Sequence, residues 1–383
     1  MNNFTFENTT RIHFGAGQIE KLAEEIPEGS KTLVLYGGGS IKSNGVYDQV
    51  TKALEGKEWG EFSGIEPNPQ YDTLMKAVEK IREEEFDYLL AVGGGSVVDG
   101  TKFIAAAVRF DEGDPWQILS NHKQVEDAMP IGCVLTLPAT GSETNIAAVV
   151  SRGADKLPFI SPLVRPRFAI LDPATTLSLS PRQVSNGVVD AFVHTIEQYL
   201  TYPVNAKIQD RFAEGILLTL IEEGPKALTT PKDLEVRTNI MWAATQALNG
   251  LIGAGVPQDW ATHMIGHELT AEYGIDHART LSILLPAVMQ KQREKKKGKL
   301  LQYAERVWGI TDGNENERID GAISATVAFF RQMEVPVCLS DVEVSDDAVE
   351  KVTTRLENHG MTQLGEHGDI DINAARSILQ LAL

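Results

Sequence analysis

Two cysteines, Cys133 and Cys338, in a chain of 383 residues are too few for a disulfide framework. Their scarcity fits a reducing, cytoplasmic location. Long hydrophobic runs are missing too: no apolar stretch approaches the roughly 18 residues needed to span a membrane. The amino terminus, MNNFTFENTTRIHF, lacks the basic-then-apolar order of a secretory signal. Basic charge is in short supply, with 35 Lys and Arg against 53 Asp and Glu and a formal net charge of −18. Such a field repels nucleic acid and anionic membranes at long range. It repels an anionic cofactor as well, so any phosphate site has to be local, made of backbone N–H groups and a few lysines.

What is present is the composition of an ordinary globular protein, 42% hydrophobic and 23% charged. The length suggests two domains. In the first half, short β-rich runs alternate with helical patterns. Lys31–Tyr36, Tyr88–Val92, Cys133–Leu137 and Phe168–Leu171 read as buried strands. The apolar spacing at 71, 74, 75, 78 and 81 predicts one helix face, and residues 97–110 a second helix. A helical stretch is expected from the first strand's turn to about Leu54. This alternation implies an α/β domain with a mostly parallel sheet covered on both faces. From Ser180 onward strand signals nearly vanish. Ser180-Pro181 reads as an N-cap and first helical residue. The expected division is residues 1–179, a Rossmann-like dinucleotide-binding domain, and residues 180–383, an all-helical domain. The charge run at 291–299 reads as a solvated helix end.

Three glycine-rich turns follow three of the strands: Gly37-Gly38-Gly39-Ser40, Gly93-Gly94-Gly95-Ser96 and Thr140-Gly141-Ser142. Glycine lets backbone approach a phosphate, and a following helix offers unpaired N–H groups and a positive dipole end. Neither GGGS turn has G-x-G-x-x-G spacing, and one alone is weak evidence, because tight turns use glycine anyway. Three along one sheet edge suit an extended dinucleotide. Selection of NAD normally places Asp or Glu near the end of an early strand, against the ribose 2′-hydroxyl. The first turn has Gly38, Gly39 and Ser40 there, with Lys42 nearby, so NADP is expected over NAD.

The chain holds only eight histidines. His263, His267 and His277 fall close together, and His194 lies four residues after Asp190. Asp190/His194 and His263/His267 are i,i+4 pairs, each on one helix face. A carboxylate with imidazoles suits Zn²⁺ or Fe²⁺. Any one of these histidines reads equally well as a hydrogen-bonded core residue, and spacing does not say which of them ligate. The segment His263-Met264-Ile265-Gly266-His267 is not H-E-x-x-H.

With these motifs in place the chain resembles the iron-containing (group III) alcohol dehydrogenases, especially bacterial NADPH-dependent aldehyde reductases and butanol dehydrogenases. The likeness runs end to end. It includes Phe14-Gly15, the two GGGS turns, Glu66-Pro67-Asn68-Pro69, Val97-Val98-Asp99, Pro138-Ala139-Thr140-Gly141-Ser142-Glu143, Gly187 through His194, His263 through His267, and Asp276-His277. The resemblance implies a metal held by Asp190, His194, His263 and His277, with His267 beside substrate and nicotinamide as a proton donor. It also implies cofactor contacts at Asn68, Asp99, Thr136 and Lys156, beside those at Gly37, Gly38, Gly39, Ser40, Gly94, Gly95, Ser96, Thr140 and Ser142. The implied reaction is reduction of an aldehyde to an alcohol, and the reverse, by a homodimer. Ala278 departs from the family pattern, in which many members have glycine after the last ligand. Same-fold alternatives, a glycerol-phosphate dehydrogenase or a dehydroquinate-synthase-like enzyme, need cations for a phosphorylated substrate, and the segment Asp190–Tyr202 offers no such cluster. A non-enzymatic metal-binding protein leaves the three turns unexplained.

Overall fold

The computed structural model describes residues 1–383. It contains two compact units. One comprises Glu7–Leu179 and Asp233–Met241, the other Met1–Phe6, Ser180–Lys232 and Trp242–Leu383. Two short segments, Met1–Phe6 and Asp233–Met241, thus group against the order of the chain, which the sequence pattern did not indicate. Within the second unit the Asn2 N–H donates to the Gly255 carbonyl at 2.9 Å. No helix is long and apolar enough to cross a membrane.

The α/β unit holds strands β1 (Arg11–Phe14), β2 (Lys31–Leu35), β3 (Glu58–Phe62), β4 (Tyr88–Gly94), β5 (Ile131–Leu137), β6 (Ala147–Arg152), β7 (Asp155–Ile160) and β8 (Phe168–Leu171). Its helices are α1 (Leu22–Glu25), α2 (Ser40–Ser43), α3 (Val46–Ala53), α4 (Tyr71–Glu84), α5 (Gly95–Arg109) and α6 (Gln117–Ser120). Six strands form one sheet in the order β1-β8-β5-β4-β2-β3. Every pairing in it is parallel. Side chains alternate between the faces. Leu33, Leu35, Leu89, Ala91, Cys133 and Leu135 pack with α4 and α5. Val34, Tyr36, Leu90, Val92 and Val134 pack on the other face with Ile19, Ile41 and Val50. Both faces are covered, which is why these strands read as continuous apolar runs.

From β2 the chain passes outward to β3, then returns to the opposite side of β2 as β4 and continues away through β5 and β8. The ends of β2 and β4 therefore flank a topological switch point, the place where open parallel sheets take ligands. Three features went unexpected. β3, EWGEF, is a half-exposed edge strand without an apolar run. β6 and β7 form an antiparallel hairpin outside the main sheet. The helical stretch after the first turn breaks at Gly45, whose φ is +80°, into α2 and α3.

The remaining helices are α7 (Pro181–Tyr199), α8 (Lys207–Thr229), α9 (Leu234–Ala247), α10 (Ala261–Tyr273), α11 (His277–Lys291), α12 (Lys297–Arg306), α13 (Glu315–Gln332), α14 (Ala348–Asn358) and α15 (Ile372–Leu381). α7 opens on a full capping box: Ser180 and Gln183 cap each other's backbone N–H, with Pro181 in the first turn. Ala261, Ile265 and Leu269, spaced by four along α10, pack with Ile283, Leu284 and Val288 of α11. With that seam on one side, His263 and His267 fall on the opposite face of α10. Gly266 lets the two helices close up, since a Cβ there would lie 2.9 Å from Thr280 Oγ1.

Candidate metal and dinucleotide sites

In the helical unit, α7 presents Asp190, His194 and Glu197 at i, i+4 and i+7, all buried. His263 and His267 come from the first two turns of α10, and His277 is the first residue of α11. Asp276 fixes that helix start. Its Oδ2 accepts from Arg182 Nε at 2.7 Å and from Asn186 Nδ2 at 2.8 Å, both on α7. Burial opposes the Asp276 charge, but these partners outweigh it and hold the carboxyl below its ordinary range.

One ligand atom each from Asp190, His263 and His277 lie within 4.8 Å of one another. Asp190 Oδ1 is 3.7 Å from His277 Nε2 and 3.8 Å from His194 Nδ1. Donors about 2.1 Å from a tetrahedral ion stand about 3.4 Å apart, so these separations are close to those a divalent cation requires. The His194 and His263 rings stack with centroids 4.5 Å apart. His194 Nδ1 is buried without a hydrogen-bond partner. Burial, only partly offset by Asp190, pushes the His194 pKa down to about 4, so the ring is neutral and its lone pair available near pH 7. A buried carboxylate, a buried neutral imidazole whose Nδ1 has no hydrogen-bond partner and two further imidazoles fit a divalent cation. His267 stands one turn along α10 from His263, its ring 5.0 Å from that of His277 and outside the close three-residue group. Ala278 is buried and helical, so alanine is accommodated in α11 without disturbing its start.

In the α/β unit the glycine turns have different reasons for being glycine. At the β4–α5 turn, a Cβ on Gly95 would lie 2.5 Å from Thr140 Oγ1, and one on Gly94 3.1 Å from Leu137 Cβ. Packing alone requires small residues there, and it draws the second and third turns together. At the β2 turn, Gly39 has φ +91°, which favours glycine, whereas a Cβ on Gly38 would meet nothing within 4 Å. Gly38 is therefore unexplained by the protein's own packing and leaves open space at the switch point. The side chain of Val97 lies against both turns, 3.7 Å from a Cβ on Gly37 and 2.6 Å from one on Gly93.

The other expected cofactor residues gather around the start of α5. The Asn68 N–H donates to Ser96 Oγ at 3.3 Å. Ser142 Oγ donates to Asp99 Oδ1 at 2.5 Å, and the Val149 N–H of β6 to Asp99 Oδ2 at 3.1 Å. Lys156, buried on β7, is paired across the hairpin with Ser151 and acts electrostatically on Asp99. Thr136 is buried in β5, one residue before its end. Burial pushes the Asp99 carboxyl up, against the pull of Lys102.

Residues 9–173 match the family Iron-containing alcohol dehydrogenase, and residues 184–364 match Fe-containing alcohol dehydrogenase family, C-terminal. The chain belongs to the iron-containing alcohol dehydrogenase family. It is an oxidoreductase of that family. It is 61% identical to NADPH-dependent aldehyde reductase YqhD of Escherichia coli, over 100% of both chains. It is 39% identical to probable NADH-dependent butanol dehydrogenase 1 of Bacillus subtilis, again over 100% of both. The substrate- and cofactor-free aldehyde reductase YqhD structure superposes with a TM-score of 0.93 at 59% identity, covering 100% of each chain. NADH-dependent butanol dehydrogenase A of Thermotoga maritima gives 0.95 at 36% identity, covering 100% of this chain and 99% of that one.

For this family member, sequence reasoning missed several supporting groups. Glu197 Oε1 accepts the Thr262 N–H at 2.6 Å, and Oε2 is bonded to His263 Nδ1. Its spacing from Asp190 and His194 on the same helix face was the available signal. Lys102, fully buried in α5, donates to Asn145 Oδ1 and the Ala147 carbonyl, both at 2.8 Å, and so ties the β6 hairpin to the helix. Two readings need correction. The first turn does have a carboxylate nearby: Glu61, on the adjacent β3, lies 3.5 Å from Lys42 Nζ and accepts from the Tyr36 and Tyr47 hydroxyls. The run at 291–299 is not simply solvated, because Lys296 and Lys299 are each 5% exposed and ion-paired.

Proposed function

We propose that this enzyme reduces aldehydes to primary alcohols, and catalyses the reverse reaction, with NADPH as the preferred cofactor and one divalent metal, Fe²⁺ or Zn²⁺. The observation that carries this reading is the buried group of Asp190, His263 and His277, with His194 stacked on it, on a chain of this family. These four residues hold the metal. His263 ligates through Nε2, because its Nδ1 is committed to Glu197. A divalent cation so held supplies Lewis-acid polarisation of a carbonyl oxygen and stabilises the negative charge that develops there. His267, buried beside His277, supplies a proton to that oxygen, directly or through water.

In the α/β unit, the N–H groups that open α5 at Gly95 and Ser96, together with the helix dipole, bind the cofactor pyrophosphate. Gly94 and Thr140 border this turn. Asn68 orients Ser96, and Ser142 orients Asp99. Gly37, Gly38, Gly39 and Ser40 receive the adenosine ribose, and the room at Gly38 admits a 2′-phosphate. Thr136 and Lys156 complete the cofactor surroundings. The name of the 61% identical relative, an NADPH-dependent aldehyde reductase, supports both substrate class and cofactor. The enzyme acts as a homodimer, as the family resemblance implies, and its mass in solution tests this.

The deciding assay follows NADPH consumption with a panel of aldehydes, using enzyme stripped of metal and reloaded with Fe²⁺ or Zn²⁺. Turnover that requires metal and is faster with NADPH than NADH is the expected result. Metal-independent turnover, or none with any aldehyde, refutes the proposal.

A further inference from the structure

Behind the proposed ligand His263 the helical unit buries a set of charges that the reaction itself does not use. Lys296, just before α12, is 5% exposed. Its ammonium donates to the Leu200 carbonyl at 2.7 Å and to both carboxylate oxygens of Glu366, at 2.7 and 2.6 Å. It also meets Asp259 Oδ2 at 2.6 Å. The other oxygen of Asp259 accepts the Ala261 N–H at 2.8 Å, at the start of α10. The Asp259 N–H in turn donates to the Glu197 carbonyl at 2.9 Å. Glu197 takes the next N–H, that of Thr262, and the imidazole of His263.

Two carboxylates, Asp259 and Glu197, thus satisfy successive N–H groups of a helix whose preceding residue, Trp260, has φ +63° and offers no side-chain cap. A bulky residue in that region is an outlier held by its surroundings. Those surroundings end at Lys296, whose ammonium is shared by Asp259 and Glu366 in a site where an unpaired buried carboxylate is costly.

We infer that Lys296 is a positioning residue for the metal centre: by anchoring Asp259 it holds the first turn of α10 so that His263 faces the metal. The inference rests on the metal-site reading above. Groups that orient a ligand from behind typically change metal affinity about 10–100-fold when lost. The sign separates positioning from simple electrostatics. Removing a nearby cation strengthens cation binding by Coulomb attraction alone, whereas loss of positioning weakens it.

The experiment is Zn²⁺ affinity by competition with a chromogenic chelator, on the full chain. Lys296→Met is compared with wild type, with His277→Ala and with Lys299→Met, a buried lysine on the same run paired to Asp210 instead. The double variant Lys296→Met/Glu366→Gln removes one charge of each sign and decides the matter should the single variant fail to fold. The expected result is affinity weakened about 10-fold or more in both Lys296 variants, and within threefold of wild type for Lys299→Met. Zn²⁺ bound as tightly as wild type, or tighter, in the folded Lys296 variants overturns the inference. So does equal weakening in Lys299→Met. Wild type that takes up neither Zn²⁺ nor Fe²⁺, or His277→Ala that binds as well as wild type, refutes the metal site itself.

Discussion

Replacing Gly38 by aspartate is expected to move the enzyme's preference from NADPH toward NADH. Gly39, the next residue of the turn, is a poor site for this test. At φ +91° any side chain there is strained, and a loss of activity would not report on the cofactor. Gly38 has no such restriction, and a Cβ added to it meets nothing within 4 Å. The repulsion can be scaled for a separation of roughly 6 Å between the introduced carboxylate and a 2′-phosphate of charge near −2. Coulomb repulsion at that distance is about 1.4 kcal/mol at a dielectric of ~80 and about 5.5 kcal/mol at ~20. Gly38 is exposed, so the lower half of that range applies. The ratio of kcat/KM for NADPH over NADH should fall about 10–100-fold, at ~1.4 kcal/mol per decade. The same carboxylate offers an acceptor to the 2′-hydroxyl of NADH, adding to the shift. Lys42→Ala should do less. Its ammonium is already offset by Glu61 at 3.5 Å and held over the Tyr36 and Tyr47 rings, at 5.1 and 4.5 Å. The assay is kcat/KM for each cofactor at one saturating aldehyde, with circular dichroism as the check on folding. A folded Gly38→Asp enzyme whose ratio stays within threefold of wild type refutes the reasoning, as does a wild type that already prefers NADH.

Three further outcomes follow from the two sites. His263→Ala and His277→Ala should each lose bound metal and nearly all turnover, and elemental analysis showing full occupancy in either would remove that residue from the ligand set. His267→Ala should retain metal while kcat drops about 10²–10⁴-fold, the usual loss for a positioned proton donor; departure of the metal with this side chain would make His267 a ligand instead. Burial lowers the Lys102 pKa to about 8, below its unfolded value of about 10.4. The unfolded chain therefore binds more protons between those pH values, and this residue makes stability rise with pH across that window. Denaturant unfolding of wild type and Lys102→Met from pH 7 to 10.5 should show the variant lacking that rise, and parallel curves would contradict the assignment.

Much of this was legible because it is written within single elements. The strands at 31–35, 88–94, 131–137 and 168–171 announce themselves as apolar runs, and the glycine turns sit directly at their ends. Ser180-Pro181 marks α7 through a cap that needs only its own next turn. What stayed hidden depends on partners distant in sequence. β3 is an edge strand with two glutamates, so it carries no period, and only its register beside β2 brings Glu61 to Lys42. Lys296 looks like its neighbours in a basic run. Its burial is decided by Asp259 and Glu366, residues 37 before and 70 after it in number.

The same distinction explains why spacing could not choose among the histidines. His263 is four residues from His267 and fourteen from His277, so an i,i+4 rule favours the nearer pair on α10. A ligand set is chosen by where the donors point, and that depends on how α11 enters. Gly274 ends α10 at φ +67°, and Asp276 is fastened to Arg182 and Asn186 of α7. This places His277 Nε2 3.7 Å from Asp190 Oδ1. His267, although on the same helix as His263, lies a full turn further along, its ring 6.4 Å from that of His263. His277 therefore joins Asp190 and His263 in the close group, and His267 stands beside it. Asp276, whose Oδ2 is engaged by Arg182 and Asn186, lies outside the proposed ligand set, so Asp276→Ala should weaken Zn²⁺ affinity in chelator competition through His277, and affinity equal to wild type would contradict this.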